Sequence, residues 1–348
     1  MIVLSEADIR ALIRPAEAVA LAMEAFRLTA AGPAMALRGD LRAEEPRRGC
    51  LLLAGSAGPD SLSIKTNVHA QPEDSDAPRH WASLLTLWDW QRAQPRALIS
   101  AGLFNEHRTA AGFAAGLDRL AAPDATTAAI FGAGRSAPLA ALYLMIVRPS
   151  LKRLYLVGRS SQRLAALVAT LSREPALAGV ELVSSATPAE AVADSQIVIT
   201  VTTSETPVFP GKAARPGACI VLGGANRATA READDDLIRR ADIYLDARAD
   251  AFAKAGDLVQ AKVSGALDPA RIRAEIGTLV DGPLPLSPGA DLTLFKSMGL
   301  PLQDVLLAQA LVARAQAGSI GTPIDLRGAP ELLGVPDLQG APELQGSP

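Results

Sequence analysis

Thr126–Ala137 reads TTAAIFGAGRSA, and Leu154–Ser161 reads LYLVGRSS. A short apolar run closes in Gly132-Ala133-Gly134, with Ala137 where a third glycine or alanine belongs. About 25 residues on, a second apolar run closes in Gly158-Arg159-Ser160. This is the first strand–turn–helix–strand unit of a dinucleotide-binding domain. Gly132 permits the tight turn, and Gly134 lets backbone N–H groups approach a pyrophosphate. The helix opening near Ser136, next to Arg135, presents its positive end to the phosphates. The end of the second strand selects between cofactors. A free ribose 2′-hydroxyl wants Asp or Glu there; this chain offers Arg159, Ser160, Ser161 and Arg163. Cations and hydroxyls suit a 2′-phosphate, so NADPH is favoured over NADH.

The chain has 348 residues, enough for two ordinary domains. Its 49% hydrophobic and 20% charged content suits a packed globular protein. A net charge of −3 gives no reason to expect nucleic acid or an anionic membrane as partner. The two cysteines, Cys50 and Cys219, lie far apart, which fits a reducing compartment. No His/Cys/carboxylate cluster has metal-ligand spacing, so no metal is expected. The N-terminus lacks a basic region followed by an apolar core, and no run has the length of a membrane span, so a cytoplasmic protein is expected. Only six of the 34 basic residues are lysines, so a lysine in an apolar neighbourhood calls for a reason.

Ser5 with Asp8 makes a capping box for a first helix, and a second follows from Pro15. Residues 36–100 alternate as strands, with Gly/Pro/Asp clusters between them. A helix is predicted over Asn105–Leu120. From 126 to 246, strands alternate with helices in the manner of a parallel sheet. Thr202, Thr203 and Ser204 follow the strand QIVITV, at the sheet edge where ligands bind. Leu302–Ala317 is a final amphipathic helix. The tail Gly328–Pro348, an imperfect Pro/Gly/Glu/Leu repeat, is too thin in apolar residues to offset ordering entropy and is expected to be disordered.

Several stretches carry a resemblance: Arg38, Ser63-Ile-Lys65, Pro78-Arg-His80, Asn105-Glu-His-Arg108-Thr109, Gly132-Ala-Gly134, Thr202-Thr-Ser204, Gly223-Gly-Ala-Asn226, Arg231-Glu-Ala-Asp234, Ala255-Gly-Asp257 and Leu294-Phe-Lys-Ser297-Met-Gly299. In this order and spacing the chain resembles the ornithine cyclodeaminase/mu-crystallin family over nearly everything except the tail. The resemblance implies an α/β fold: a Rossmann dinucleotide-binding domain (121–302) inserted into an α+β substrate-binding and dimerisation domain (1–120 plus 303–327). It implies a homodimer acting on a small imino or amino acid. Gly224, Asn226 and Ser297 join the cofactor-side residues on the same ground.

The family spans several reactions, so the residues must choose. Lys65 carries three donors on a flexible stem and suits a substrate carboxylate or a proton to an imine nitrogen. Arg108, taken to sit at the start of a helix, matches a carboxylate in a bidentate fork, and Arg38 is a second candidate for that task. Thr109 is placed to reach the cofactor phosphates. His80 is a further candidate, as proton donor or nicotinamide-ribose contact. The family's cyclodeaminases resemble one another in two carboxylates; here those places hold Leu52 and Asn226. Neither is a general base near neutral pH. The expected reaction is therefore NADPH-dependent reduction of an α-imino acid. An alanine-dehydrogenase-like enzyme, an NAD-dependent cyclodeaminase and a non-catalytic NADPH-binding protein remain the alternatives.

Overall fold

The computed structural model describes residues 1–32, 35–43, 48–58, 60–70, 80–184, 186–279 and 284–326. The C-terminal repeat, together with Pro78 and Arg79 beside His80, lies outside the described residues.

The first sheet contains β1 (Ile2–Leu4), β2 (Met35–Arg42), β3 (Arg48–Ser56), β4 (Ser61–Ala70), β5 (His80–Asp89), β6 (Gln94–Ser100) and β15 (Thr322–Pro323). Its order is β15-β1-β6-β5-β4-β3-β2, and β2 through β6 form an antiparallel meander. The second sheet contains β7 (Thr127–Phe131), β8 (Arg153–Val157), β9 (Glu181–Val183), β10 (Ile197–Thr200), β11 (Cys219–Leu222), β12 (Ala241–Leu245), β13 (Ile272–Glu275) and β14 (Leu292–Lys296). It is parallel, in the order β13-β12-β14-β11-β10-β7-β8-β9. Its inner strands are almost wholly buried, which is why TAAIF and CIVL read as near-continuous apolar runs, while the edge strands β9 and β13 are only partly buried. The connecting helices are α4 (Ala137–Val147), α5 (Ser161–Leu171), α6 (Pro188–Asp194), α7 (Asp235–Arg240), α8 (Arg248–Lys254) and α9 (Gly256–Val263).

Four helices serve the first sheet: α1 (Glu6–Leu12), α2 (Pro15–Ala31), α3 (Ala101–Leu120) and α10 (Pro301–Ala317). The Ser5–Asp8 capping box is present at α1. Helix α3 starts at Ala101, four residues before the position expected from sequence. Gly102, a poor helix former, lies in its first turn beside Glu6, whose Oε1 a Cβ would meet at 2.5 Å. Fourteen of the 20 residues of α3 are buried, so it has no wide polar face and runs as a central helix touching both sheets. Arg108 consequently lies in the third turn of α3, not at its start. Among the described residues no helix is long and apolar enough to cross a membrane.

Candidate active site

Cross-strand register sets the site. Arg38 on β2 faces Leu53 on β3, Leu53 faces Lys65 on β4, and Lys65 faces Leu85 on β5. Directly paired residues share a sheet face, so Arg38 and Lys65 project from one row toward α10. Lys65 is fully buried. Its Nζ donates to Asn105 Oδ1 at 3.0 Å and to Asp304 Oδ1 at 2.8 Å. Arg108 Nε donates to the same Asp304 oxygen at 2.8 Å. Asn105 and Arg108 are three apart on α3 and so share its face, while Asp304 comes from α10. One carboxylate thus bridges two cations supplied by a strand and a helix. Asp304 Oδ2 has no hydrogen bond to a described residue although it lies within ion-pair distance of Lys65.

Burial pulls Lys65 down to about 7, aided by the Arg108 and Arg38 charges and opposed by Asp304. Burial alone would raise Asp304, but Arg108 and Lys65 outweigh it and hold the carboxyl below its ordinary value.

Arg38 reaches across to the loop between β14 and α10. Its Nη2 donates to Met298 O at 3.0 Å and Gly299 O at 2.7 Å, and its Nε lies 3.9 Å from Asp250 Oδ2. That Nε is buried without a hydrogen bond to any described residue. The loop is held from behind by Asp246, which accepts from the Met298 and Gly299 N–H groups at 2.6 and 2.7 Å. Gly299 has φ +74°, and a Cβ on it would collide with the Arg108 guanidinium. Glycine is required there on both counts. Ser297, next in this loop, is buried, with its hydroxyl 3.4 Å from Asp246.

The turn expected to meet phosphates is tight at Gly132 and open at Gly134. Gly132 has φ +119°, and a Cβ would lie 2.7 Å from Val201 O; above Gly134 there is open space. This arrangement fits a dinucleotide pyrophosphate approaching the turn before α4. Arg135 and Ser136 flank it, Ser136 hydrogen-bonding Glu106 on α3, and Thr109 lies half-buried one turn further along that helix. At the end of β8, Arg159 and Arg163 are exposed, and Ser160 caps α5 by accepting from Arg163 N–H. Neither arginine forms an ion pair with a described residue. Thr203 and Asn226 are exposed in their loops, and Ser204 Oγ donates to Thr206 O.

Thr202 and Gly224, both expected on the cofactor side, have a partner within the protein. The Thr202 N–H and hydroxyl both donate to Glu232 Oε1 at 2.8 Å, and Gly224 N–H donates to Glu232 Oε2 at 2.8 Å. These donors tie the loops after β10 and β11 to a fully buried carboxylate. Behind it, Asp257 accepts from Glu232 N–H and pairs with buried Lys296 at 3.0 Å. His80 also departs from expectation. It pairs with Ala70, five residue pairs from the Lys65–Leu85 pair. That is roughly 17 Å along the strand, and the odd spacing puts its side chain on the opposite face. His80 is exposed there. Its neighbour Trp81 takes the inner face instead and stacks 4.4 Å from the Arg135 guanidinium. The same alternation turns Leu52 away from Lys65: Leu52 pairs with Thr66, and Leu51 and Leu53 are the β3 residues on the Lys65 face.

Sequence reasoning missed Asp304, and gave no role to Asn105 and Glu232 although both lie in the stretches that carry the resemblance. Asp304 sits in an amphipathic helix far along the chain, where a single acid carries no local signal. Its one trace is that an acid occupies a core-facing position of an apolar helix.

Comparison with known proteins agrees with this architecture. A model of the ornithine cyclodeaminase/mu-crystallin family matches residues 1–319. Over 257 residues the chain is 30% identical to the mouse (Mus musculus) ketimine reductase mu-crystallin, covering 74% of this chain and 77% of that one. Over 242 residues it is 31% identical to the delta(1)-pyrroline-2-carboxylate reductase of Paracoccus denitrificans, covering 67% and 73%. The Thermococcus litoralis delta(1)-pyrroline-2-carboxylate reductase, solved with NADH and L-proline, superposes with a TM-score of 0.84 at 25% identity, covering 93% of this chain and all of that one.

Proposed function

The chain belongs to the ornithine cyclodeaminase/mu-crystallin family, and from that premise we propose that it reduces an α-imino acid to the amino acid with NADPH, a cyclic ketimine such as pyrroline-2-carboxylate or piperideine-2-carboxylate being the substrate class. The observation that carries this reading is the convergence of Lys65, Arg108 and Arg38, with Lys65 held near neutral titration. Two arginines grip the substrate carboxylate, the geometry they recognise best. NADPH, held by the Gly132–Ser136 turn and by Arg159, Ser160 and Arg163, would supply hydride to the imine carbon. Lys65 hydrogen-bonds the imine nitrogen and gives it a proton; a donor titrating near 7 suits that task at neutral pH. Asp304 sets the positions of both Lys65 and Arg108 and keeps the lysine protonated often enough to serve.

Deamination followed by ring closure asks for additional proton carriers. The β3 residues beside Lys65 are Leu51 and Leu53, and Asn226 is an exposed amide in the loop after β11, which supports reduction over cyclodeamination. Exposed Arg159 and Arg163 around Ser160 support a 2′-phosphate, hence NADPH, although the Thermococcus relative was solved with NADH.

We assign the outer face of the first sheet to a second copy of the chain. Leu37, Leu41, Val68 and Leu84 are each at least half exposed there, and a contiguous apolar face of this kind marks an association surface.

The test is NADPH oxidation, followed by absorbance, with both cyclic imino acids, with NADH in parallel and with Lys65→Ala. Turnover with a preference for NADPH, lost in the variant, supports the reading. A requirement for ammonia and a 2-oxo acid, or ammonia release without net cofactor change, would replace it by dehydrogenation or cyclodeamination.

A further inference from the structure

Ser136 stands at the N-cap of α4 yet makes no capping bond to its own helix. Its hydroxyl donates instead to Glu106 Oε2 at 2.6 Å. Arg135 Nη2, from the same turn, lies 3.7 Å from Glu106 Oε1, and its guanidinium rests on Trp81. Glu106 is 13% exposed and belongs to α3, the helix that also carries Asn105 and Arg108. A carboxylate therefore engages the side-chain donors of the phosphate-binding turn.

We propose that Glu106 is an anionic occupant of this turn that a cofactor pyrophosphate must displace, making it a determinant of cofactor affinity. The inference rests on the dinucleotide reading of Gly132–Ser136. A pyrophosphate at the turn before α4 takes the same hydroxyl and guanidinium, and it carries the same sign of charge. A like charge within about 4 Å weakens binding by about fivefold at the dielectric of water, and by more in a half-buried cleft. Without cofactor, Glu106, Arg135 and Trp81 fasten the turn to α3 and β5. With cofactor, the carboxylate gives up Ser136.

The test compares the full-length wild type with Glu106→Gln and Glu106→Asp, titrated with NADPH and with adenosine, which has no pyrophosphate. Glu106→Gln is expected to bind NADPH about 3- to 10-fold more tightly, with adenosine affinity unchanged and the gain shrinking as salt screens the repulsion. Glu106→Asp keeps the charge but draws it back from Ser136, so a smaller gain is expected. Equal or weaker NADPH binding in Glu106→Gln overturns the proposal, as does an equal gain for adenosine, which would mean a generally loosened cleft. A wild type that binds neither NADPH nor NADH overturns the dinucleotide reading beneath it.

Discussion

Replacing Asp304 by Asn tests the site most directly. The amide keeps the shape of the side chain and removes its charge. In the native chain one Asp304 oxygen lies 2.8 Å from both Lys65 Nζ and Arg108 Nε, and all three groups are buried. Removing one partner of such a pair leaves uncompensated charge and costs about 3–5 kcal/mol. Lys65, already at about 7, loses the strongest influence that raises it. Its titration moves lower, and each unit is worth about 1.4 kcal/mol. The proposed reduction uses the protonated lysine, so on that reading the descending limb of kcat/KM against pH moves to lower pH by about one unit or more, and activity at pH 7.5 drops by more than about tenfold. Stability follows the sign of the shift. The native Asp304 carboxyl lies below its ordinary value, so its contribution is full above the ordinary carboxylate range and is lost as pH falls through the folded-state value. The gap between wild type and Asp304→Asn in urea is therefore widest at neutral pH and closes in acid. An unmoved descending limb together with an unchanged urea midpoint would refute the bridging role of Asp304.

Other consequences can be measured alongside. Gly299→Ala places a methyl against the Arg108 guanidinium at positive φ and should raise the substrate KM about tenfold or more with a cost of about 1–3 kcal/mol in stability; an unchanged KM would count against Arg108 as the carboxylate grip. Arg159→Ala combined with Arg163→Ala should raise the Kd for NADPH about tenfold and leave NADH nearly unchanged, so equal losses for both cofactors would remove the 2′-phosphate argument. Because Lys65 titrates at about 7, kcat/KM for imine reduction should fall above that pH while kcat/KM for amino-acid oxidation rises, and profiles running the same way would exclude Lys65 as the proton carrier. Leu84→Glu on the outer sheet face should lower the mass measured by light scattering to that of one chain; an unaffected mass would place the interface elsewhere.

The sequence by itself determined the parts whose signal is local. Gly132 and Gly134 between an apolar run and a helix specify a tight strand-to-helix turn, because only glycine takes the positive φ at Gly132 without strain. The apolar alternation of strands and helices from 126 onward specifies a parallel sheet, because strands buried on both faces must be apolar throughout. Lys65 and Arg108 stood out as cations in apolar or motif-bearing surroundings, and Arg38 less so among its neighbouring arginines. Tertiary structure decided what depends on register and long-range pairing. Whether His80 or Trp81 faces the cleft turns on a single step of the pleat, and that step places Trp81 beside Arg135. The insertion of β14 between β11 and β12 has no trace in the linear order. Asp304, 239 residues from Lys65 and 196 from Arg108, acquires its role only when α10 returns across the first sheet. A buried ion bridge is a property of the space between elements, and a residue pattern within one element cannot encode it.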